Sequence, residues 1–103
     1  MSQSNNSVPP PSYHDEFKKS VDLFEQSLQA YQKADGPNIQ AKFKEVMDKT
    51  SHIMDETAPQ FLSDFGQKKL QTLQSDYKNF SQSASSEMMK KLQNDINSLK
   101  KEL

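Results

Sequence analysis

Cysteine, arginine and tryptophan are absent from this chain of 103 residues, and glycine occurs only twice. Without cysteine there is no disulfide framework, thiol nucleophile or cysteine metal site. Without arginine there is no planar fork to bind a phosphate or a guanine edge at two points. The thirteen basic side chains are all lysine; they face fourteen carboxylates, for a net charge of -1. No basic block or set of stacking aromatics stands out, which argues against nucleic acid as a partner. No apolar run approaches the ~20 residues of a membrane-spanning helix. The polar stretch that begins at Met1 lacks the basic and apolar regions of a cleavable signal peptide. These traits favour a cytoplasmic protein and leave non-classical secretion open.

Apolar residues are also scarce. Leu, Ile, Val and Phe make up 20 of the 103 residues, and the mean hydropathy is -0.97. That content borders on the composition of disordered chains. The near-zero net charge points the other way, because self-repulsion is missing. One small domain with a thin core is expected.

Residues 1–12 form a polar Pro/Ser/Asn segment, expected to be a disordered tail. From Tyr13 onward the pattern is helical. Ser12 is placed to cap a first helix over about 13–35, with Asp15 and Glu16 at the positive end of its dipole. Phe17, Val21, Phe24, Leu28 and Tyr31 recur at spacings of four and three along one face. Asp35-Gly36-Pro37 then stops the helix. Asn38 is the expected cap of a second helix over about 38–56, with Ile39, Phe43, Val46, Met47, Ile53 and Met54 on its apolar face. Thr57-Ala58-Pro59-Gln60 reads as a fresh start, with Thr57 as cap and Pro59 in the first turn. The third helix, about 58–81, carries Phe61, Leu62, Phe65, Leu70, Leu73, Tyr77 and Phe80, and is interrupted by Gly66. A fourth apolar stripe, Met88, Leu92, Ile96, Leu99 and Leu103, lies in a helix over about 85–102. The serines between Ser81 and Ser86 compete with the backbone for hydrogen bonds. The last two helices are therefore either one long helix or two joined by a turn near Ser83–Ser86. The fold class is all-α. A small antiparallel up-and-down bundle of three helices, or four if that turn forms, is expected over 13–103.

Pro10-Pro11-Ser12-Tyr13 matches the Pro-Pro-x-Tyr pattern and resembles the ligands of WW domains. The resemblance implies a polyproline helix docked in an aromatic groove, with Tyr13 in an adjoining pocket. The plainer reading has the prolines ending the tail and Tyr13 packed on the bundle. Met88, Met89, Leu92, Ile96, Leu99 and Leu103 form the other candidate partner-binding set, because the first three segments can already pair with one another. Met89 falls off the stripe and is expected to be exposed. The phenylalanines and methionines read mainly as core. Helical hairpins of the WXG type have similar length, but the Trp of their signature is missing.

His14 and His52 are far apart in sequence. His52 has Asp48, Asp55 and Glu56 within a turn, which reads as surface chemistry rather than a metal site. No catalytic constellation, cofactor or metal site stands out, and no small-molecule substrate is expected. Lysine pairs such as Lys18-Lys19 and Lys90-Lys91 would suit a bundle that opens onto a lipid surface. Acids at helical spacing, such as Glu45 before Lys49, make a solvated face the simpler reading. The sequence therefore points to a non-enzymatic interaction module, with a protein partner or self-association expected. Lipid-surface binding and display of a WW-binding peptide are its alternatives.

Overall fold

The computed structural model describes residues 12–103. The expected disorder of the tail, with Pro10 and Pro11, lies outside them. Helix α1 spans Tyr13–Lys33, α2 Pro37–Phe61, α3 Asp64–Gln82 and α4 Ser86–Lys100. Each start and stop has a local cause. Ser12 accepts the Asp15 N–H at 3.0 Å, and the acids of the first turn follow it, as the sequence implied. Gly36 makes the first turn at φ 98°, a conformation that an L side chain resists. Pro37, not Asn38, opens α2, because proline's fixed φ and missing N–H suit a first helical position.

The expected start at Thr57 does not occur. Its hydroxyl donates back to the Ile53 carbonyl at 2.8 Å, and α2 runs on through Pro59 to Phe61. Pro59 is exposed and sits in the last turn, where water can satisfy the carbonyl that its missing N–H leaves over. The break comes at Leu62-Ser63, where Ser63 accepts the Gly66 N–H at 3.1 Å and so caps α3. After Gln82 the chain turns, and Ser85 accepts the Met88 N–H at 3.1 Å. The bundle therefore has four helices.

Successive helices run antiparallel. His14 at the start of α1 meets Phe61 at the end of α2, ring centroids 5.3 Å apart. Tyr77 of α3 donates to the Lys44 carbonyl of α2, and Lys69 of α3 reaches the Ser98 carbonyl of α4. Glu25 of α1 accepts from Gln93 of α4, which closes the ring of neighbours. Across the diagonal, Phe24 meets Tyr77 edge-on at 5.2 Å and Tyr31 meets Phe80 at 5.1 Å. Phe17, Val21, Phe24, Leu28, Met47, Met54, Leu73, Phe80, Leu92, Ile96 and Leu99 make the buried core. Ser20 and Ser27 on α1, and Thr50 and Thr57 on α2, are buried too. These small residues, seven apart on each helix, let α1 and α2 approach closely. The threonine hydroxyls bond back into their own helix and add no unpaired donor.

Three residues expected on apolar faces are exposed: Ile39, Ile53 and Phe65. Phe65 lies in the first turn of α3 on the side away from the core, where Lys69 sets its ammonium 4.8 Å from the ring centre. Met89, expected to be exposed, is half-buried against the core.

Gly66 is helical, and its Cα faces Leu62: a Cβ there would lie 2.7 Å from Leu62 Cγ. Leu62 is itself buried and has little room to retreat. Helix propensity favours alanine here, and packing opposes it. Gly66→Ala is expected to destabilise the protein by about 1 kcal/mol in urea unfolding, because overpacking outweighs the propensity gain.

Candidate interaction surface

The C-terminal stripe is not a free surface. Leu92, Ile96 and Leu99 are fully buried, and Met88, Met89 and Leu103 pack against the same core. This corrects the expectation of an apolar surplus there. Residues 61–80 do not complete the core, so α4 must enter it between α1 and α3. Polar contacts fix its position. Lys100 bonds Glu25 and lies 3.6 Å from Asp22 on α1. Lys69 of α3 pairs with Glu102 at 2.8 Å, and Lys91 of α4 with Asp76 at 3.3 Å. Burial alone would raise the Glu25 carboxyl, but bonds from Lys100 and Gln93 hold it below the usual range. The same partnership raises the Lys100 ammonium.

Pro10 and Pro11 lie outside the described residues. Tyr13 is 51% exposed and does not pack into the bundle. It stands at one end of a different apolar surface, the outer face of the α1–α2 hairpin. A groove of about 380 Å³ runs there between the helices, lined by Tyr13, Glu16, Lys19, Ser20, Ile53 and Thr57, with Glu56 at its edge. A second hollow, bounded by Asp48, Lys49 and His52, shares Ile53 with it. Leu23 follows Ser20 by three residues on the same side of α1, and it is 46% exposed. On α2 the stripe Ile39, Lys42, Val46, Lys49, Ile53 and Glu56 has spacings of three and four. Sequence reasoning placed Ile39 and Ile53 on the inner face. Ile53 lies about 100° around α2 from the buried Met54, and Ile39 stands in the first turn of that helix.

Charge along this face is uneven. Glu16 and Glu56 lie near the Tyr13 end, beside Lys19. Lys42 and Lys49 lie toward Gly36. Glu45 reaches Lys49 at 3.5 Å, so the expected pair at helical spacing forms, fully in solvent. His52 approaches Glu56 at 4.0 Å, both exposed.

Another depression, of about 630 Å³ between α1 and α4, is lined by Gln29, Gln32, Ser86, Met89, Lys90 and Gln93. These side chains offer amide and hydroxyl groups and one ammonium. Among the described residues, no group of three or more His, Asp or Glu is placed to hold a metal ion, and no helix is long and apolar enough to cross a membrane.

Two ionisable clusters sit at helix–helix contacts. The buried Tyr77 hydroxyl donates to Asp48 and to the Lys44 carbonyl. Burial first, then Asp48, pushes the phenol upward. Between α3 and α4, Asp76 and Asp95 face each other, each with a buried Oδ2 that has no hydrogen-bond partner. Burial first, then the Asp76 carboxyl, raises Asp95 to about 7, with Lys91 opposing.

A carboxyl whose folded pKa is raised binds more protons in the folded state. Stability from this pair is therefore present in acid and declines as pH rises from the ordinary carboxylate value to about 7. Asp95→Asn is expected to flatten that decline in urea unfolding. It should gain about 1 kcal/mol at about pH 8, the shift being discounted for water contact. Glu25, held low by Lys100, contributes in the opposite sense: its stabilisation is present above the ordinary carboxylate range and lost on acidification.

In comparisons with protein families, curated proteins and solved structures, nothing matches this chain.

Proposed function

We propose that this chain is a non-enzymatic protein–protein interaction module whose outer α1–α2 face docks an amphipathic helix of a protein partner. The observation that carries the reading is the exposure of Tyr13, Leu23, Ile39 and Ile53 on one hairpin face. Among the described residues, every other large apolar side chain except Phe65 is at least partly buried, so these side chains are the ones whose burial a partner could still supply. Two helices at close approach offer a shallow groove, and a third helix with apolar residues at three- and four-residue spacing fits it. Charge sets its direction. Acidic residues of the partner would lie against Lys42 and Lys49, and basic ones against Glu16 and Glu56.

Leu23→Asp with Ile53→Glu tests the reading. Both positions are more than a third exposed, so unfolding in urea should change by no more than about 0.5 kcal/mol per site. A partner purified on the wild-type protein should bind the double variant about tenfold or more weakly in calorimetric titration. Equal binding would move the site elsewhere. Co-flotation of the wild-type chain with anionic vesicles, accompanied by a gain in helix, would favour the lipid-surface alternative instead.

A further inference from the structure

Ser20 of α1 and Ile53 of α2 line one groove and so lie at about the same height along the hairpin. Heights of the other residues follow from the rise of about 1.5 Å per helical residue. Leu23 stands three residues past Ser20, toward the Gly36 turn. Measured from Leu23, Ile53 lies about 5 Å toward the Tyr13 end, and the half-buried Val46 about 6 Å toward the turn. Glu16 and Glu56 lie about 10 Å toward the Tyr13 end, and the exposed Lys42 about 12 Å toward the turn. The face is thus balanced about Leu23 in apolar character and opposite in charge. Lys19 offsets one of the two glutamates, and Glu45 takes up Lys49 at 3.5 Å. One carboxylate and one ammonium remain, at opposite ends.

We infer that this face binds a second copy of the chain, in a two-fold dimer whose axis crosses the hairpin at Leu23; the inference rests on the reading of the face as a helix-docking surface. Two copies laid face to face can be related by an axis along the hairpin or by one across it. An axis along the hairpin sets Glu16 and Glu56 of one copy against the same end of the other, like charge on like. An axis across it sets the glutamate end of each copy over the lysine end of the other. Each helix then crosses its own counterpart. Leu23 meets Leu23 of the second copy, Ile53 faces Val46, and Lys42 faces Glu56, the last two contacts made twice by symmetry. With 21 residues α1 extends about 30 Å, and two helices abreast are about 20 Å wide. The face would bury roughly 600 Å² per copy, or about 1,200 Å² in all, which is the lower end of specific interfaces. Such a dimer is expected to dissociate at about 10 to 300 μM.

The test is sedimentation equilibrium of the full chain from about 10 μM to about 1 mM. The mass should rise from 11.8 kDa toward twice that value across the range. Raising the salt from about 0.05 M to about 0.5 M should weaken the association, because the cross-copy ion pairs are screened. Lys42→Glu and Glu56→Lys should each weaken it about tenfold or more, while circular dichroism shows the helices intact. Mixed in equal amounts, these two variants should associate about as tightly as wild type, because both crossings then pair opposite charges. A role of either residue in folding alone would not produce that rescue. A wild-type chain that stays at 11.8 kDa throughout, or two variants that do not associate when mixed, would overturn the dimer. A different protein that binds the wild-type chain, and not Leu23→Asp with Ile53→Glu, would then leave the docking face itself standing. Dimerisation of that double variant at wild-type strength would overturn both the dimer and its face.

Discussion

Tyr77 ties three helices together from the middle of α3. Its ring meets Phe24 of α1 edge-on and stacks on Phe80, and its hydroxyl bonds Asp48 and the Lys44 carbonyl of α2. A buried phenol requires a partner for its proton, and the acceptors on α2 supply one. That bond places α2 beside α3, and the ring contact places α1 across the diagonal. One face is left for α4, which fills it with Leu92, Ile96 and Leu99. A chain with so few apolar residues has no spare stripe. Each of the four is needed to keep water from the Tyr77 and Phe80 seam.

This economy explains where binding capacity remains. Side chains that face the centre are spent on the fold, α4 included. What is left over lies on the convex side of the best-packed pair, where Ser20, Ser27, Thr50 and Thr57 bring α1 and α2 close and leave Leu23 and Ile53 in solvent. The small residues that tighten the hairpin thus also expose its larger neighbours.

The α3–α4 contact has a different character. It combines an ion pair between Lys69 and Glu102 with two facing carboxyls, of which Asp95 is raised by burial and by Asp76. Aliphatic burial and Lys91 hold α4 in place while the Asp76–Asp95 pair opposes it, increasingly as pH rises. This makes α4 the helix whose docking depends most on pH; the Lys100–Glu25 bond to α1 loses its own stabilisation only on acidification, below the range in which Asp95 acts.

By itself the sequence determined the all-helical character, the Phe17–Tyr31 stripe, the Ser12 cap and the Gly36-Pro37 turn. Those features depend on residues within a turn or two of each other, where periodicity and capping act directly. Only tertiary structure decided the rest. Thr57 resembles a cap, but packing of Thr57 and Ala58 against α1 keeps α2 helical through Pro59, and Ser63 caps α3 instead. Ile53 and Met54 are neighbours in one apolar pattern, yet one is exposed and the other buried, because only the position of α1 defines the inner side of α2. The stripe at Leu92 to Leu99 reads identically whether it meets a partner or its own chain. Its burial followed from the turn at Ser83–Ser85, where competition between serine side chains and backbone left both outcomes open until the core demanded a fourth helix.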